Sequence, residues 1–110
     1  MSWISLQVPD QLQTIAELSV ARPQVIFKHS TRCNISSLAL QRLQRSGLPS
    51  HIDFYLLDLI QHRQLSNQIA EHFGVWHESP QVLLIKNGEC VYDESHMGIS
   101  MDELLEQAAT

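Results

Sequence analysis

Two cysteines are the residues best able to do covalent chemistry in this chain, and their surroundings differ. Cys33 follows the polar run Lys28-His29-Ser30-Thr31-Arg32. It precedes a segment in which Ile35, Ala39 and Leu43 recur at helical spacing, with Leu38 and Leu40 beside them and Gly47 and Pro49 as a stop. This pattern predicts a helix that opens at Cys33. A cysteine on a first helical turn faces unpaired backbone N–H groups and the positive end of the macrodipole, which favours its thiolate over its thiol. Lys28, His29 and Arg32 lie within five residues of it and add positive charge if they turn toward the sulfur. The thiolate is the attacking species in thiol–disulfide exchange, so this is the placement a redox nucleophile needs. Where a two-cysteine motif has its second thiol, this chain has Ser36, which can donate a hydrogen bond to sulfur but cannot form a disulfide. The expected chemistry is monothiol, with an adduct at Cys33 waiting for a thiol from another molecule. Cys90 follows a predicted hairpin turn and is expected to be structural.

The six histidines show no His-x₃-His spacing and no Cys-x₂-Cys pair accompanies them, so no metal site is expected. His77 and Glu78, just ahead of Ser79-Pro80, read equally as site-lining groups or as a solvated loop. Trp76 is expected to pack into the protein. The acidic groups Asp93-Glu94 and Asp102-Glu103-Glu106 read as a solvated face and a helix start that suits the dipole.

The elements that must position Cys33 follow from periodicity. Asp10 with Gln13 suggests a capping box for a first helix through Leu12, Ile15 and Ala16, ending at Arg22-Pro23. Val25-Ile26-Phe27 predicts a buried strand, and Lys28 to Arg32 a loop. Ile52 to Leu59 predicts a second strand, and Leu65, Ile69 and Phe73 a helix ending at Gly74. Val82 to Ile85 and Cys90 to Tyr92, joined by Asn87-Gly88, predict a hairpin, because both turn residues tolerate positive φ. Ser100 with Glu103 suggests a capping box for a final helix toward Ala108, and Trp3 to Leu6 a short extra strand. Strands separated by helices favour parallel pairing, so the expected fold is α/β, a mixed central sheet with helices on both faces.

The chain is 110 residues long, 44% hydrophobic and 17% charged, which predicts one domain spanning residues 1–110 with its own core. Seven Lys and Arg against twelve Asp and Glu give a net charge of −5, the wrong sign for neutralising phosphates, so nucleic acid is not an expected partner. The first fifty residues carry five of the basic groups and only two acidic ones, which makes that half locally basic. No apolar run spans a bilayer and the first residues lack a signal-peptide pattern, so no membrane association and a reducing, cytoplasmic location are expected.

Several ordered blocks resemble the monothiol bacilliredoxins, thioredoxin-like bacterial proteins that use bacillithiol in place of glutathione. The blocks are Lys28-His29-Ser30-Thr31-Arg32-Cys33, Ile35-Ser36, Leu65-Ser66-Asn67, Ile69-Ala70-Glu71, Gly74-Val75, and His77-Glu78-Ser79-Pro80-Gln81, with Asn87-Gly88-Glu89 after them. The resemblance implies a thioredoxin-like fold, Cys33 as the attacking cysteine, and a cis-proline at Pro80 beside the active site. The family pattern is Cys-Pro-Ile-Ser, and this chain has Asn34 in place of the proline, which restores a backbone N–H and adds a side-chain amide next to the sulfur.

The expected function is removal of bacillithiol from protein mixed disulfides, with bacillithiolated client proteins as partners, bacillithiol as co-substrate and no bound cofactor. Cys33 is the expected nucleophile. Lys28, His29, Thr31, Arg32, Asn34, Ser36, Ser79 and Pro80 are expected to stabilise the thiolate or position the substrate, with the basic strip at Lys28 and Arg32 suited to bacillithiol's carboxylates. Two other classes remain open: an iron–sulfur cluster carrier of the glutaredoxin kind, and a non-catalytic interaction module with an inert Cys33.

Overall fold

The structure, a computed structural model, describes residues 2–110. Its elements run β1 (Ile4–Ser5), α1 (Asp10–Leu18), β2 (Gln24–His29), α2 (Asn34–Ser46), β3 (Asp53–Asp58), α3 (Arg63–Phe73), β4 (Gln81–Lys86), β5 (Glu89–Ser95) and α4 (Met101–Ala108), with a 3₁₀ turn at His96–Gly98 between the last two. The strands form one sheet in the order β1-β3-β2-β4-β5. β1 and β2 pair parallel to β3, while β4 pairs antiparallel to β2 and β5 to β4. No helix of the described residues is long and apolar enough to cross a membrane.

Strand β2 lies at the centre, so both its faces must be covered and all six of its residues are buried. Alternation sends Val25 and Phe27 to one face, where they pack with Ala39 and Leu43 of α2 and Leu104 of α4. Ile26 faces the other side with Leu12 and Ile15 of α1 and Leu65 and Ile69 of α3. The two helix pairs thus cover opposite faces of a mixed sheet. At the end of the sheet away from Cys33, Asn87 (φ 54°) and Gly88 (φ 79°) make the predicted hairpin turn. Ser19 braces that turn by accepting hydrogen bonds from Asn87 N and Gly88 N.

Two local expectations are corrected. Asp10 does not cap α1, because the cap position falls on Pro9 and no side-chain cap forms there. Instead Gln11 Oε1 accepts from Gln7 N and Val8 N at 2.7 and 3.0 Å, satisfying donors just ahead of the helix. Lys28 and His29, expected in a loop, are the last two residues of β2, because pairing with β3 and β4 extends the strand past its apolar run. Ser100 does cap α4, accepting from Glu103 N at 3.1 Å.

Candidate active site

Parallel pairing of β2 and β3 places the C-terminal ends of both strands, and the starts of α2 and α3, at one pole of the sheet. β2 leads into a turn in which Cys33 N donates to Ser30 O at 3.2 Å. Cys33 is then the N-cap residue of α2, in extended backbone (φ −113°, ψ 119°), with a half-buried side chain. The antiparallel register pairs Lys28 with Gln81, so His29 and Pro80 lie one step beyond that pair, at the same edge of the pole. The Ser79–Pro80 peptide bond is cis. Topology thus brings together the Cys33 turn and the proline loop, 47 residues apart in sequence.

Ser36 is fully buried, and its hydroxyl is engaged away from the sulfur. Ser36 Oγ accepts from Ser30 N at 3.0 Å and lies 2.6 Å from His29 Nδ1. Among the described residues no hydrogen bond reaches Cys33 Sγ, so the expected serine–sulfur bond is not formed. Ser36 instead fixes the turn that carries the cysteine. His29 is buried, stacked at 5.8 Å on Phe27, and its pKa is lowered from 6.5 by burial, with Asp58 opposing. Thr31, Arg32 and Asn34 are exposed around Cys33.

Lys28 is not part of a basic surface strip. It is 0% exposed, its Nζ donates to Ser66 O at 3.2 Å, and it lies 3.3 Å from His77 Nδ1. Burial pulls its pKa from 10.5 down to about 8. Of the two cations expected to form the strip, only Arg32 stands on the surface.

The loop ahead of Pro80 is braced throughout. Gln81, buried, donates from Nε2 to Trp76 O at 2.9 Å and accepts at Oε1 from Glu78 N at 3.4 Å. Glu78 pairs with His96 at 3.7 Å, and His96 N donates to Pro80 O at 3.0 Å. Ser79 Oγ is buried and, among the described residues, has no hydrogen-bond partner. Trp76 does not pack inside; it is 91% exposed, beside the proline loop. Gln81, Ser66 and His96 carried no role in the sequence reading. Their partners lie on other elements, so no local signal marks them, apart from the match of Ser66 and Gln81 to family blocks. The described residues contain no cluster of three His, Cys, Asp or Glu able to hold a metal.

Cys90 sits elsewhere. It pairs with Ile85, four residues along β4 from Gln81, which at ~3.3 Å per residue is about 13 Å from the pole. A disulfide needs Cα atoms within ~7 Å, so Cys90 cannot resolve an adduct on Cys33 in this fold. Burial also pushes its thiol up to about 11.

This geometry, with one cysteine at the N-cap position of a helix at the same pole as a cis-proline, bears on what the chain is related to. A family model described as monothiol bacilliredoxin BrxC matches residues 4–104. The chain belongs to the monothiol bacilliredoxin family. Among solved structures, a protein described as a candidate oxidoreductase with a thioredoxin fold aligns at 33% identity and a TM-score of 0.79, over 97% of this chain and 93% of that one. Malassezia sympodialis thioredoxin aligns at 19% identity and a TM-score of 0.76, covering 99% and 92% of the two chains. Fasciola hepatica thioredoxin aligns at 16% identity and 0.73, covering 96% and 95%. The last two show the fold alone. The fold is thioredoxin-like, as the bacilliredoxin resemblance implied, and the family is one of thioredoxin-like oxidoreductases.

Proposed function

We propose that this bacilliredoxin is a monothiol thiol–disulfide oxidoreductase that removes bacillithiol from protein mixed disulfides. The Cys33 thiolate attacks the bacillithiol sulfur of the client's mixed disulfide. That S–S bond breaks, the client cysteine leaves as thiolate and takes up a proton, and a Cys33–bacillithiol disulfide forms. A second bacillithiol thiolate then attacks the same bacillithiol sulfur, releasing bacillithiol disulfide and regenerating the Cys33 thiolate. One free bacillithiol is consumed per turnover: client mixed disulfide and bacillithiol thiol give client thiol and bacillithiol disulfide, with the number of disulfide bonds unchanged. Cys33 leaves beside the first turn of α2, and the proline loop offers backbone to the incoming chain.

The observation that carries this reading is the isolation of Cys33. It sits at the N-cap position of α2 at the pole, Ser36 holds the fourth position, and Cys90 lies out of reach. An external thiol must therefore complete the cycle, and family membership points to bacillithiol as that thiol. Arg32, exposed one residue before Cys33, suits bacillithiol's malate carboxylates. The test presents one client protein as its bacillithiol, glutathione and cysteine mixed disulfides, each with its matching free thiol. Faster release from the bacillithiol form supports the reading. Equal rates for all three, or none, refute it.

A further inference from the structure

Lys28 is a buried cation that the proposed reaction does not use. Among the described residues no carboxylate pairs with it. Its Nζ instead joins three elements: its own strand β2, Ser66 of α3 through the carbonyl at 3.2 Å, and His77 of the proline loop through Nδ1 at 3.3 Å. His77 Nδ1 also lies 3.2 Å from Ser66 Oγ. An ammonium has donors only, so its contact with Nδ1 requires a lone pair there. The imidazole that offers one is the neutral tautomer with its proton on Nε2. His77 as a whole is exposed, while its Nδ1 is engaged by Lys28 and Ser66. The charged groups facing His77 are Lys28, Arg63 of α3 and neighbouring Glu78, itself paired with His96; burial and the two cations lower its pKa and Glu78 opposes them.

We infer that Lys28 and His77 form a latch that positions the Trp76–Pro80 loop for the incoming mixed disulfide, with Lys28 acting through His77 and His77 presenting Nε2–H outward to the substrate's chain. Only the substrate half of this inference rests on the proposed function; the latch is a property of the fold. Lys28 is a positioning residue, buried and acting on the loop through its contact with His77. Breaking the latch therefore weakens capture of a protein substrate more than it slows the chemistry.

The test has two arms on the full chain. Imidazole ¹H–¹⁵N correlation spectra at pH 7 should show His77 as the Nε2–H tautomer, with Lys28→Met mixing the tautomers. In turnover of a bacillithiolated protein, Lys28→Met and His77→Ala should each raise KM about fivefold with kcat within about twofold, and the double variant should be no worse than His77→Ala, because groups acting as one unit are not additive. A wild-type His77 carrying its proton on Nδ1, or additive KM effects, would overturn the latch. If no variant and no wild type turns over the substrate, the proposed function falls, while the tautomer still decides the latch.

Discussion

Replacing Lys28 by methionine should make this protein more stable. The side chain is fully buried, and lowering its pKa from 10.5 to about 8 means that keeping the ammonium in the fold costs ~3 kcal/mol at pH 7. Methionine has similar length and no charge, so it removes that cost. What it gives up is small: Ser66 O is a helix carbonyl within α3, and His77 Nδ1 keeps its contact with Ser66 Oγ. Allowing ~1 kcal/mol for the lost bonds leaves a gain of about 1–3 kcal/mol, or a Tm higher by roughly 5–10 °C in a chain this size. The gain should depend on pH. Between about 8 and 10.5 the folded wild type has released the lysine proton while the unfolded chain still holds it, so wild-type stability rises with pH and the difference narrows. Urea unfolding of both proteins at pH 7 and pH 10 measures this, and taking the difference cancels the tyrosines that titrate in both. A variant less stable than wild type at pH 7, or a difference unchanged at pH 10, would refute the reasoning. A variant that is more stable yet poorer at capturing substrate would be the signature of a charge kept for function.

Other consequences can be checked with ordinary assays. Ser36→Ala leaves Ser30 N–H and His29 Nδ1 without their buried partner and should cost about 1–3 kcal/mol in denaturant unfolding, even though no bond to the sulfur is lost. His29 and His77 both have lowered pKa values, so below 6.5 the unfolded chain binds protons that the folded chain does not; stability should fall on going from pH 7 to 5.5, and the fall should be smaller in His29→Gln. With its thiol pushed up to about 11, only ~10⁻⁴ of Cys90 is thiolate at pH 7. Brief iodoacetamide treatment followed by peptide mapping should find the label on Cys33 and almost none on Cys90.

Much of the scaffold was legible because it rests on local patterns. Leu65, Ile69 and Phe73 mark α3, Asn87-Gly88 marks the hairpin, and Ser100 marks the start of α4, each signal lying within a few residues of the element it builds. Cys33 was legible for the same reason, since helix periodicity begins just after it. Lys28 and His29 were not. A lysine and a histidine in sequence read as loop, and only the neighbours β3 and β4 turn them into buried strand. The partners that make that burial tolerable, Ser66 and His77 for one and Ser36 for the other, lie seven to 49 residues away. Trp76 failed in the opposite sense: aromatic bulk suggested packing, yet its loop holds itself through Gln81 and leaves the indole outside. Similarly, Asp10 has the right chemistry for a cap, but the chain enters α1 through Pro9 and Gln11 supplies the acceptor.

The most direct test of the account is the mass of the intact protein after reaction with a bacillithiolated client in the absence of free bacillithiol. The account predicts a single bacillithiol adduct on Cys33, absent in Cys33→Ala, present in Cys90→Ser, and persisting until bacillithiol is added. No adduct, or an adduct that resolves unaided into a Cys33–Cys90 disulfide, would contradict it.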